Sequence, residues 1–392
     1  MVSEKMRLNV ENGSQVRAMF SAGKEMAAKY GEENVYDFSL GNPYTPVPAA
    51  FDQAVKDVID EYDSMTLHGY TDNAGYPDVR QAIADDLNQR YGSSYSFKNI
   101  LMTVGAASAL NAILKTLLNP GEEVILCRPY FTEYCNYIAN YDGKIVEVDY
   151  DETLMPDPAD LAEKVTPQTK AVIVNTPNNP SGVIYTPERL TAMADVLRAK
   201  QAEYGTDIYI ISDEPYRELV YDGAVNPFLP DFYENTIIAY SYSKSLSLPG
   251  ERIGYLAIPD CAADSEMMIM AASVAIRILG FVNAPSLIQK AVARCLNEKT
   301  DIAYYDRNRK FLYESLTDMG YECIKPQGAF YLMVKTPIEE AAFVNKAKDY
   351  HILLVGTGSF GAPGYVRVAY CCSYEKIASA MPAFKALAED CV

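Results

Sequence analysis

A lysine flanked by hydroxyls and followed by an arginine can hold a ligand that carries both a carbonyl group and a phosphate. Ser241-Tyr-Ser-Lys244 is such a segment, and Arg252 lies eight residues beyond the lysine. The amine can form a Schiff base, and the hydroxyls and the guanidinium fork suit a phosphate. Asp213-Glu-Pro-Tyr216 offers a carboxylate to a ring that needs an acidic partner. Thr176-Pro-Asn-Asn-Pro-Ser-Gly182 is a rigid turn that presents amide side chains, and Gly105, Ala106 and Ala107 leave backbone N–H groups open to an anion.

The elements around these residues place them alike. Short apolar runs at 100–104, 123–127, 145–149, 171–175, 208–212, 237–240 and 253–258 are mostly continuous and β-branched, as in strands covered on both faces. Helical patterns at 107–118 and Pro187–Tyr204 supply crossovers, so this part is a large α/β domain. The segments beginning at Gly105, Thr176, Asp213 and Ser241 each come directly after a strand, where open parallel sheets bind their ligands. Beyond about residue 290 the pattern changes. A long helix over 286–316 precedes strands at 328–335, 352–355 and 366–370, with helices at 339–349 and 374–388. The expected division is an N-terminal arm and part of the small domain at 1–47, a large domain at 48–285 and a small α+β domain at 286–392.

In their order along the chain these parts resemble the fold-type I, class I/II aminotransferases. The resemblance rests on FSLGNP (38–43), GYTDNAGYPDVR (69–80), NTPNNPSG ending at Gly182, DEPY (213–216), SYSKSLSLPGERIGY around Lys244, and YVRVAY (365–370). It implies pyridoxal 5′-phosphate (PLP) as cofactor, and an α/β fold with a mostly parallel central sheet, helices on both its faces and a smaller α+β domain. Lys244 then forms the Schiff base and shuttles a proton, Asp213 pairs with the pyridine nitrogen, and Asn179 and Tyr216 bond the ring oxygen. Phe131 stacks on the ring, with Tyr130 as the neighbouring candidate. Gly105, Ala106, Ala107, Ser241, Ser243 and Arg252 hold the phosphate. Tyr70 reaches that phosphate from the other subunit of a homodimer. Arg367 clamps the substrate α-carboxylate beside Leu40, Gly41 and Asn179. In the first phosphate loop, Gly105-Ala-Ala-Ser108 lacks the early hydroxyl of many relatives, so only backbone donors are expected there.

Composition narrows the alternatives. With 34 basic and 52 acidic residues the formal charge is −18, which disfavours nucleic acid and acidic membrane surfaces. No signal-like stretch follows the first charges, and a cytoplasmic protein with reduced thiols is expected. Eight cysteines form no CxxC pair and the two histidines lie far apart, so no metal site is expected. Gly356-Thr-Gly-Ser-Phe-Gly361 spells a dinucleotide fingerprint, yet Pro363 and Gly364 leave no room for the helix that must come next. The loop is expected beside the substrate end of Arg367 instead. The expected reaction is amino transfer from an L-amino acid, aspartate first, to a 2-oxo acid such as 2-oxoglutarate. A PLP-dependent carbon–sulfur β-lyase would use the same residues. Arg277 is the candidate for reading a distal carboxylate.

Overall fold

The fold, a computed structural model, describes residues 2–11, 13 and 15–391. It divides into two compact units: Thr45–Asn178 with Val183–Ile302, and Met1–Tyr44 with Asn179–Gly182 and Ala303–Val392.

The larger unit is built on a seven-stranded sheet. In spatial order its strands are Ile100–Thr103, Gly254–Ala257, Thr236–Ser241, Tyr209–Asp213, Thr169–Asn175, Glu123–Cys127 and Lys144–Val148. Only Gly254–Ala257 runs against its neighbours. It comes after Ser241 by a short connection with no room for a crossover helix, so the chain returns antiparallel. Every residue of the strands 209–213, 236–241 and 254–257 is buried, because helices cover both faces. Leu101, Leu126, Ile173 and Ile211 belong to one apolar cluster, and Ile100, Met102, Ile238 and Tyr255 to another. The crossover Pro187–Tyr204 starts where Thr186 Oγ1 accepts from the Arg189 N–H and stops at Gly205 in the left-handed region.

The register fixes where the site lies. Gly254 is opposite both Thr103 and Ser241. The carboxyl ends of two non-adjacent strands therefore come level, with the residues before Gly254 beside both.

The smaller unit holds an antiparallel sheet in the order Val355–Gly356, Tyr365–Ala369, Tyr331–Lys335, Cys323–Ile324. Tyr36–Asp37 pairs separately with Ile352–Leu353. The expected strand 352–355 is thus two short strands in two sheets. Helices Glu340–Asp349 and Tyr374–Asp390 pack here around Phe38, Phe343 and Phe384.

The helix expected over 286–316 is two helices, Ser286–Ala293 and Ile302–Asp318. After Ala293 the Arg294 and Cys295 N–H groups donate only three residues back. Thr300 is then drawn into the larger unit: its N–H donates to the Ser245 carbonyl at 2.7 Å, and its hydroxyl meets those of Thr45 at 2.6 Å and Ser247 at 2.8 Å. Such side-chain bonds compete with helix continuation. Among the described residues no helix is long and apolar enough to cross a membrane.

Candidate active site

In the larger unit the strand Thr236–Ser241 runs into one helical turn, Tyr242–Ser245, which carries Lys244 half-buried. Ser241 caps that turn. Its Oγ accepts from the Ser243 N–H at 3.2 Å and donates to Ser243 Oγ at 2.9 Å. Arg252, at φ 51°, brings its guanidinium to Ser243 Oγ at 3.4 Å, to the Pro249 carbonyl at 3.0 Å and to the Val104 carbonyl at 3.4 Å.

Gly105 stands between that guanidinium and the helix Ala106–Leu117, of which it is the N-cap at φ 87°. A Cβ at Gly105 would lie 2.8 Å from Arg252 Nη2, so glycine is what lets arginine and helix N-terminus approach. Unsatisfied N–H groups, two serine hydroxyls and a guanidinium form a cup suited to a dianion. The Ser108 hydroxyl donates to the Gly105 carbonyl at 2.9 Å, which leaves the start of the helix to backbone donors.

Asp213 ends its strand almost wholly buried. Tyr134 donates its hydroxyl to Asp213 Oδ2, while Oδ1 has no partner among the described residues. Burial pushes the carboxyl up to about 7; the Tyr134 bond pulls it down and the neighbouring Glu214 charge pushes it up. Burial above all, then the Asp213 charge, holds the Tyr134 hydroxyl well above the usual phenol range. Asn175 Nδ2 donates to the Asp213 carbonyl at 2.9 Å and fixes the backbone. Tyr216 is buried in the turn after Asp213. Phe131 meets Tyr134 edge to face, with centroids 5.6 Å apart. The Tyr130 hydroxyl donates to Glu147 at 2.5 Å.

An ionisable oxygen buried without a partner is costly. A cationic ring N–H against Oδ1 would remove that cost, and the nearby cup would take a phosphate. These residues fit PLP.

In the smaller unit Arg367 lies on an interior strand, paired to Met333 on one side and Val355 on the other. Its Nη1 donates to Asn179 Oδ1 at 3.0 Å and its Nη2 to the Ser39 carbonyl at 2.6 Å, while Nε has no partner among the described residues. The guanidinium carbon stands 4.4 Å from the Tyr331 ring centroid and 5.2 Å from that of Phe360. At Gly41 a Cβ would lie 1.8 Å from the Tyr331 hydroxyl, and the Leu40 carbonyl accepts from Cys371 Sγ at 3.4 Å.

Two candidates stand apart from these groups. Tyr70 is 92% exposed, and Arg277 is exposed near the end of the helix Ser265–Ile278. Sequence reasoning passed over Tyr134, Asn175, Ser39, Tyr331 and Phe360. For Tyr134 the signal was its place three residues after Phe131, at the spacing that brings side chains together on a turn of helix.

Residues 33–384 match the family described as aminotransferase class I and II. An aromatic-amino-acid aminotransferase 2 of Thermococcus litoralis is 30% identical over 391 residues, 96% of this chain and 95% of that protein. An aspartate/prephenate aminotransferase of Thermus thermophilus is 32% identical over 329 residues, 80% of this chain and 82% of that protein. Among solved structures, an amino transferase of Eubacterium rectale superposes with a TM-score of 0.96 at 43% identity, covering 100% of this chain and 99% of that one. The aspartate aminotransferase of Thermus thermophilus with maleate gives 0.86 at 27% identity, covering 99% and 100%. The chain belongs to the class I and II aminotransferases, a family of PLP-dependent enzymes, and it is an aminotransferase of that kind.

Proposed function

We propose that this enzyme holds PLP in its larger unit and moves an amino group from an L-amino acid, aspartate first, to a 2-oxo acid such as 2-oxoglutarate. The observation that carries the reading is the partnerless Oδ1 of buried Asp213, beside a strand whose end bears Lys244.

When bound, PLP supplies an electron-poor ring that accepts the electron pair of the substrate Cα–H bond. The chain does the rest. Asp213 Oδ1 holds a proton at the pyridine nitrogen, and Tyr134 keeps the carboxylate turned so that Oδ1 stays available. Phe131 packs on one ring face, and Tyr216 donates to the ring oxygen. The phosphate is gripped by the Ala106 and Ala107 N–H groups, the Ser241 and Ser243 hydroxyls and Arg252. Lys244 Nζ would anchor the cofactor and would serve as the base that moves the proton at the substrate Cα. Arg367 would take the substrate α-carboxylate with its guanidinium, held in place by Asn179 and Ser39.

Aspartate is the first donor because the named relatives include aspartate aminotransferases and the Thermus thermophilus structure holds the dicarboxylate maleate. Arg277 is the exposed cation proposed to meet a distal carboxylate, and Tyr70, also exposed, to reach the phosphate cup of a second copy in a homodimer.

The test is an absorbance titration of the purified enzyme. Aspartate is expected to bleach the visible cofactor band and 2-oxoglutarate to restore it. A band that aspartate leaves unchanged would reject aspartate as donor. Release of pyruvate and ammonia from a cysteine conjugate, without amino transfer, would reject the transferase reading in favour of the lyase.

A further inference from the structure

The glycine-rich loop after Val355 has an anion of its own. Glu340, at the start of the helix Glu340–Asp349, accepts from the Gly358 N–H at 3.0 Å through Oε1 and from the Gly364 N–H at 3.0 Å through Oε2. A Cβ at Gly356 would lie 2.3 Å from Glu340 Oε1 and one at Gly358 would lie 3.1 Å from it, so both glycines are there to let the carboxylate in. Gly361 and Gly364 have φ of 81° and 86°, which fold the chain around it. A fingerprint that elsewhere wraps a phosphate here wraps a side chain of the same chain.

The loop carries Phe360. This residue ends the short turn Gly358–Phe360, it is 1% exposed, and its ring centroid lies 5.2 Å from the Arg367 guanidinium carbon, which also stands 4.4 Å from that of Tyr331. Arg367 thus has four partners: Asn179 and Ser39 by hydrogen bonds, Tyr331 and Phe360 by ring contacts. The two rings pack on the guanidinium and restrict its orientation, and Nε is left buried without a partner among the described residues.

We propose that Glu340 is a positioning residue for substrate recognition: its carboxylate pins the 356–364 loop so that Phe360 fixes the plane of Arg367. The proposal rests on the reading of Arg367 as the carboxylate clamp. Glu340 touches no substrate. It acts through two backbone N–H groups and one aromatic ring.

The test is equilibrium binding of maleate to the PLP-loaded enzyme, monitored by cofactor absorbance, beside the Kd for PLP of the apoprotein and the melting temperature. Glu340→Gln places an NH2 group against one of the two loop N–H groups. Glu340→Asp shortens the reach by a methylene and serves if the first variant does not fold. Phe360→Leu removes the ring and keeps the carboxylate. The Glu340 variants and Phe360→Leu are each expected to raise the Kd for maleate about tenfold, the size of one lost cation–π contact or misaligned fork, with PLP affinity within about twofold of wild type. A lowered melting temperature with maleate binding unchanged would overturn the proposal and leave Glu340 a scaffold residue. Equal weakening of PLP and maleate would overturn it as well. Arg367→Gln separates the two levels: if it leaves maleate binding intact, the clamp reading itself fails.

Discussion

Two glycine turns in this protein are placed alike and are opposite in use. Gly105 and the 356–364 loop both come after strands, and both bring backbone N–H groups to a place for an anion. At Gly105 the close neighbour is the Arg252 guanidinium, and the start of the helix is left to an outside ligand. At Gly356 the close neighbour is the Glu340 carboxylate, which fills the loop from within. Glycine spacing reports that something approaches the backbone closely. The charge of the approaching group decides whether the turn binds a ligand or steadies the fold.

The difference can be attacked at both ends. The largest effect is expected for Asp213→Asn, which keeps the shape beside the phosphate cup and removes the charge that holds the ring proton. Turnover should fall on the order of 10³-fold, measured as the half-reaction with aspartate. The same variant carries a pH signature in the apoprotein. Because Asp213 is raised to about 7 in the fold, its ionisation costs stability as pH rises from the ordinary carboxylate range toward 7. Asp213→Asn should therefore flatten the melting temperature over that window and gain most above it.

Next in size is Arg252→Ala. Loss of a charge-assisted contact should weaken PLP binding by about 10- to 100-fold, with little change in the melting temperature of the apoprotein. Gly356→Ala should do the reverse. Its Cβ collides with Glu340, so a loss of about 2 kcal/mol in stability is expected with PLP affinity unchanged. The smallest effect is expected for Tyr134→Phe. It keeps the ring against Phe131, removes one donor to Asp213 and should push that carboxyl higher still, lowering PLP affinity by a few fold. If Arg252→Ala and Gly356→Ala had the same profile, the contrast between the turns would be lost.

Much of this arrangement was legible in the sequence because the sheet is parallel. Continuous β-branched runs marked the strands, and in such a sheet the residues just past each strand lie at the binding edge. The order of strands was not legible, since nothing local places Gly254 between Thr103 and Ser241. The break before Ile302 was hidden for a similar reason: it is enforced by hydroxyls of Thr45 and Ser247, remote in sequence from Thr300. Within the site, charged residues after strands stood out, whereas their supports did not. Tyr134, Asn175 and Phe360 are ordinary core residues in type, and only the fold shows which carboxylate, carbonyl or guanidinium each one meets. The glycine fingerprint was readable as far as excluding a crossover helix and expecting the loop beside Arg367, where Phe360 lies. The carboxylate that occupies the loop comes from Glu340, ahead of the loop in the chain, and no spacing rule points to it.

Everything proposed for the larger unit depends on Lys244 being the residue that carries the cofactor. Borohydride reduction of the PLP-loaded enzyme, with proteolysis and mass spectrometry of the product, fixes the attachment point irreversibly. The expected result is a single labelled peptide containing Lys244, absent from Lys244→Ala. Label on any other lysine, or undiminished labelling of Lys244→Ala, would contradict it.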